Sequence, residues 1–120
     1  MIIRNEARIT NSAVRFDGVG EIVMTHVTEP KPSSFAGKGR LFSHIVLKPG
    51  QVFGTHKHVG EFEIYDIIRG EGVYNDNGQD VAVRAGDVTV CADGESHGIR
   101  NTGTTDLELV ALILFTTKTA

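Results

Sequence analysis

The sequence predicts an all-β fold, and three features predict it. Its hydrophobic segments are short and rich in Val, Ile and Phe; turn signals built on Gly, Pro, Asn and Asp separate them at even intervals; and no segment is long enough to show a convincing helical period. Fourteen glycines and three prolines in 120 residues fit a chain made of many tight turns. This rhythm describes a sandwich, a jelly roll or a closed barrel. The length suits one domain over 1–120 with a modest core.

Residues 1–13 are polar and weakly patterned, and 14–27 mix β-branched residues with Gly18 and Gly20 as an opening strand or hairpin does. Residues 29–40 carry Pro30, Pro32, Ser33, Ser34, Gly37 and Gly39 and read as a loop. Segment 41–47 is apolar and closes at Pro49-Gly50, and 52–58 follows as the partner strand. Segment 63–69 is β-rich and ends at Gly70. Asn75-Asp76-Asn77-Gly78 is the strongest hairpin signal in the chain, joining 73–75 to 81–84. Turns at Gly86-Asp87 and Asp93-Gly94 lead into 88–91 and 97–101, and Gly103 precedes a last strand over 107–115. That last strand reads Leu-Glu-Leu-Val-Ala-Leu-Ile-Leu-Phe, apolar on both faces. A wall facing water should alternate, so a second copy of the chain is the expected cover, with the N-terminal segment as the rival cover.

Composition narrows the partners. The formal net charge is −3 with acids and bases interspersed, which leaves no basic stripe for nucleic acid or an anionic membrane. Arg4, Glu6 and Arg8 break up any signal-peptide core, and no apolar run approaches the ~20 residues of a membrane helix. Cys91 is the only cysteine, so no internal disulfide forms, and a reducing cytoplasm is the expected location.

His56 and His58 stand two apart on a predicted strand, so both imidazoles leave the same face. Glu63 heads the next strand, and His97 heads a later one that can meet the first three across a barrel. Three nitrogens and one carboxylate oxygen make a donor set suited to one divalent ion of Fe, Mn, Ni, Co, Cu or Zn. Glu61 could assist or replace Glu63, although a solvated turn acid is the preferred reading for it. Tyr65 and Ile67 share strand parity with Glu63, and Ile99 and Asn101 share it with His97, so these four are the candidates for a substrate-binding wall.

The spacing carries a resemblance. Gly50, five residues, His56-Lys57-His58, four residues, Glu63, six residues and Gly70 resemble the first motif of the cupin superfamily, over 50–70. Gly86, Gly94, His97 and Asn101 resemble its second motif, over 86–101, after a spacer of fifteen residues. Ala92 stands where that motif usually has proline, which should loosen the turn slightly and removes no ligand. The resemblance implies an antiparallel jelly-roll barrel of six to eight strands, a metal ion inside it, and often a homodimer.

His44 is a weaker candidate for lining the cavity, and His26 is weaker still; a lone strand histidine is more often packed or on the surface. Cys91 reads as a small buried hydrophobe, and Ser96 faces away from His97, which leaves no catalytic triad. Loop 29–40 and the N-terminus are expected to border the cavity mouth. The barrel hosts many reactions, so it selects none by itself. The leading expectation is a metal-dependent enzyme acting on a small organic molecule, as a dioxygenase, isomerase, decarboxylase or lyase. The rival is a noncatalytic small-molecule-binding or sensing module.

Overall fold

The computed structural model describes residues 1–116. Ten strands run through them: β1 (Thr10–Ala13), β2 (Ile22–His26), β3 (Gly39–Leu47), β4 (Val52–Lys57), β5 (Glu61–Arg69), β6 (Glu71–Asp76), β7 (Gln79–Arg84), β8 (Val88–Cys91), β9 (Ser96–Arg100) and β10 (Leu107–Phe115). One sheet has the order β1-β2-β3-β10-β5-β8 and the other β4-β9-β6-β7, and the pairings between strands are antiparallel. This is an all-β jelly roll, one of the three architectures that the turn rhythm allows and the one that the cupin resemblance implies. The eight strands from β3 onward match the expected six to eight, and β1 and β2 extend the larger sheet at its edge.

The core lies between the sheets. Burial alternates along β3, β5 and β10 as the period of two requires. Ile45, Leu47, Tyr65, Ile67, Leu109 and Ala111 face inward from the larger sheet, and Phe53, Tyr74 and Ile99 meet them from the smaller one. The hairpin at 75–78 forms as predicted: Asn77 and Gly78 both take positive φ, +52° and +92°, which matches the strand twist in a two-residue turn.

The N-terminal third departs from the sequence reading. Residues 1–13 contain a 3₁₀ turn, Asn5–Ala7, and the strand β1, which the polar sequence hid because its burial is slight. Of 14–27, only Ile22–His26 is a strand; Val19 makes an isolated bridge to Val52, and the rest is an irregular strap. Loop 29–40 contains a 3₁₀ turn, Pro32–Phe35, and already becomes β3 at Gly39.

Register slips shape the barrel near its centre. Between the pairs Phe53–Ile99 and His56–His97, β4 holds one more residue than β9, so Phe53 and His56 both reach the interior despite their opposite parity. Gly54 sits in that bulge, where a Cβ would lie 1.8 Å from the Phe16 carbonyl oxygen, so only glycine lets the strap lie against β4. A second slip leaves Arg40 as the extra residue of β3 opposite Ile113 and Leu114 of β10. Arg40 thereby turns inward although the alternation of β3 would send it out.

Asn101 follows β9 and is buried. Its amide nitrogen donates to the carbonyls of Leu47 and Thr105, and its side-chain oxygen accepts from the Gly103 N–H. Asn101→Ala leaves these backbone groups unpaired, and a loss of about 2 to 3 kcal/mol is expected, read as a lower urea midpoint at unchanged slope.

Candidate metal centre

His56 lies on β4, His58 just beyond its end, His97 on β9 and Glu63 on β5. The register sets His56 directly opposite His97 in the smaller sheet, while Glu63 reaches in from the larger one. One donor atom from each of the four lies within 4.8 Å of the others. His97 Nε2 stands 2.9 Å from Glu63 Oε1 and 3.2 Å from Nε2 of both His56 and His58. Glu63 Oε1 is 3.1 Å from His58 Nε2 and 3.9 Å from His56 Nε2. Donors bonded at ~2.1 Å in an octahedron are separated by about 3 Å along its edges, so the spacing fits one first-row ion.

The far nitrogens of the three rings are held. His56 Nδ1 donates to the Gly54 carbonyl at 2.8 Å, and His58 Nδ1 donates to Glu61 Oε2 at 2.6 Å. Both partners only accept, so the proton sits on Nδ1 and the Nε2 lone pair is turned to the centre. Tyr74 Oη is 2.8 Å from His97 Nδ1 and fixes the third ring. Tyr65 stacks on His97 with ring centres 4.9 Å apart.

Burial pushes the Glu63 carboxyl up, but the facing imidazoles of His56, His58 and His97 outweigh it and hold the group well below the usual carboxylate range. His97 is lowered by its burial, which favours the neutral, ligating form. Burial also lowers His58, yet the neighbouring carboxylates of Glu63 and Glu61 prevail and raise it. The site is therefore anionic at Glu63 and donor-rich, the chemistry that receives a divalent cation.

Glu61 is not a solvated turn acid. It is buried, and Arg40 grips it through Nε and Nη2 at 2.7 and 2.8 Å while His58 donates to it. It assists the cluster through His58 and does not replace Glu63. The sequence missed this because the bulge that aims Arg40 has no local signature. His26 is buried and hydrogen-bonded to Ser43 and Asn11, and His44 lies half-buried on the outer face, 3.8 Å from Glu108. Cys91 is buried, and burial pushes its thiol up to about 11.

A cavity of about 130 Å³ opens beside the cluster. Its wall includes His56, His58 and Glu63, the apolar Met24 and Phe53, Arg40 at the end of the 29–40 segment expected at the cavity mouth, and two residues that sequence reasoning passed over, Arg15 and Phe16. Phe16 stacks on His56 at 4.1 Å and 11° and remains 58% exposed, so one ring face covers the ligand and the other meets solvent. The strap thus borders the site. Ser33 and Ser34 do not; they line a separate depression with Met1, Ile2 and Ile3. Tyr65, Ile67, Ile99 and Asn101 are buried and are not among the residues lining the cavity: Tyr65 backs His97, Ile67 and Ile99 fill the core, and Asn101 ties backbone.

The cupin domain family matches residues 43–113, a span that contains all four donor residues. The chain belongs to the cupin family. This cupin is 52% identical over 97 residues to the oxalate-binding protein of Thermotoga maritima, covering 81% of this chain and 78% of that one. The crystal structure of a predicted oxalate decarboxylase from Thermotoga maritima superposes with a TM-score of 0.88 at 45% identity, over 96% of this chain and 99% of that one. The cupin domain of Schizosaccharomyces pombe Cnp3 superposes with a TM-score of 0.70 at 10% identity, over 90% of this chain and 87% of that one, which speaks for the fold alone.

His58→Ala and His97→Ala are each expected to lower divalent-metal affinity by more than about a hundredfold, as measured by titration calorimetry and elemental analysis of dialysed protein. Glu61→Gln, acting through His58, should cost about ten- to a hundredfold. Glu63→Gln should weaken binding less than a histidine loss and change the preferred ion.

Proposed function

We propose that this cupin holds one divalent ion of the Fe, Mn, Ni, Co, Cu or Zn set through His56, His58, Glu63 and His97 and uses it to bind a small organic acid, with oxalate as the first ligand to test. The observation that carries the reading is the cavity of about 130 Å³ beside the four donors, which is smaller than the ~300 to 1,000 Å³ of a drug-sized pocket and admits only a few non-hydrogen atoms. When bound, the ion supplies a Lewis acid that holds and polarises a carboxylate oxygen. Phe16, Met24 and Phe53 add apolar surface to a wall that also holds Arg15 and Arg40, and burial among them strengthens that attraction. The name of the Thermotoga maritima relative supports the same ligand.

Whether the bound acid is also transformed divides the two readings. No carboxylate other than Glu63 lines the cavity among the described residues, and Glu61 is engaged by Arg40 and His58. That favours a binding module, or chemistry carried by the ion without a protein general acid. The predicted decarboxylase of similar fold supports an enzyme.

A cytoplasmic homodimer completes the proposal. No helix among the described residues is long and apolar enough to cross a membrane. The outer face of β3, β10, β5 and β8 presents Phe42, Ile64, Val88, Val90, Val110 and Leu112, exposed or half-buried on adjacent strands. β1 joins the sheet edge beyond β2, away from this face, so the second copy is the better candidate for its cover.

Stripping the metal with a chelator should abolish oxalate binding, and re-adding the ion should restore it, both read by calorimetry; equal binding by metal-free protein would sink the reading. Oxalate consumption measured in air and under anaerobic conditions separates enzyme from module. Leu112→Arg should convert a sedimenting dimer to monomer at micromolar concentration, with the melting temperature retained to within a few degrees.

A further inference from the structure

Arg15 and Arg40 both line the cavity, but they are differently committed. Arg40 spends Nε and Nη2 on the two oxygens of Glu61, so its charge is matched within the protein. Arg15 makes no ion pair among the described residues; its Nη2 donates to Asn11 Oδ1 at 2.7 Å, which anchors the guanidinium. Its Nε is buried and has no hydrogen-bond partner. A buried guanidinium N–H left unpaired is costly and calls for a partner, which a water, an ion or a ligand group can supply.

Charge points the same way. A divalent ion held by three neutral imidazoles and Glu63 carries one net positive charge, Arg40 and Glu61 cancel, and Arg15 adds a second. Two positive charges then face a cavity with room for a few non-hydrogen atoms. From this we infer that Arg15 is the specificity residue of the site: its Nε–H takes one carboxylate of a short dicarboxylate dianion whose other end lies toward the ion, so that dianions bind in preference to monocarboxylates. The inference rests on the metal-dependent acid binding proposed above. The strap makes the arrangement possible, since Arg15 also accepts through its carbonyl from Gly54 N–H in the β4 bulge and from Gly18 N–H, and its neighbour Phe16 is stacked on His56. The arginine is thereby fixed relative to the metal ligands by backbone contacts as well as by Asn11.

The test uses the full chain loaded with Zn²⁺, which has no redox chemistry, titrated calorimetrically with oxalate and with acetate. Wild-type protein should bind oxalate at least tenfold more tightly than acetate. Arg15→Gln should weaken oxalate at least tenfold, leave acetate within twofold and leave zinc stoichiometry unchanged. Arg15→Lys keeps the charge but lacks the Nε–H; it should weaken oxalate several-fold, and it carries the test if the glutamine variant does not fold. Wild-type oxalate affinity in either folded variant overturns the inference while leaving metal-dependent binding intact. If zinc-loaded wild-type protein binds neither acid, the functional reading itself fails, and the role of Arg15 fails with it.

Discussion

Three imidazoles and a carboxylate packed inside an apolar barrel set the terms for the rest of this structure. Such a cluster is costly to bury unless each polar atom has a partner, and the fold supplies partners one by one. Gly54 carbonyl, Glu61 and Tyr74 take the outer nitrogens of His56, His58 and His97, so that the inner nitrogens are left to converge with Glu63. The arrangement also crosses the two sheets: the histidines come from the β4–β9 side and the glutamate from β5. A single-residue slip in either sheet would send a ligand to the outer face, which makes the strand register a condition of the site.

The β-bulges are the means by which that register is tuned. In β4 the extra residue lets Phe53 and His56 share the interior; in β3 it turns Arg40 inward. Arg40 then neutralises Glu61, and Glu61 orients His58, a chain of contacts that starts from one inserted residue. A buried glutamate next to an anionic Glu63 would be poorly tolerated without that arginine. The Arg40–Glu61 pair is thus part of what makes the metal-site geometry affordable. The turn before β9 shows a smaller adjustment: Ala92, where related motifs usually have proline, keeps an N–H that donates to Glu95 Oε1, while Glu95 N–H donates back to the Ala92 carbonyl.

The strap between β1 and β2 joins the scaffold to specificity. Phe16 and Asp17 hold left-handed backbone angles, +50° and +57°, which non-glycine residues rarely adopt, and the segment is pinned by Gly18 and Gly54 donating to the Arg15 carbonyl and by the Val19–Val52 bridge. The consequence is an arginine and an aromatic ring placed over a cavity whose other walls come from the barrel. Loops positioned on a rigid scaffold commonly carry the residues that choose a ligand, and here the loop lies N-terminal to both cupin motifs.

The sequence by itself determined the class of fold and the four donors. Strand alternation is local and has a period of two, so His56 and His58 announce a shared face, and turn chemistry at Asn77-Gly78 or Asp93-Gly94 is written in two residues. The motif spacing then added Glu63 and His97. What only the tertiary structure decided is everything that depends on a slip in register or on contact between distant segments. The parity rule placed Tyr65, Ile67, Ile99 and Asn101 inside, and they are inside, but it could not say which interior residues border open space and which fill the core. Arg40 broke the parity rule through a bulge, Glu61 acquired its buried role from Arg40, and Arg15 and Phe16 reached the site from a strap with no periodic signal. Local periodicity fixes the face a side chain leaves; only the packed chain fixes what it meets there.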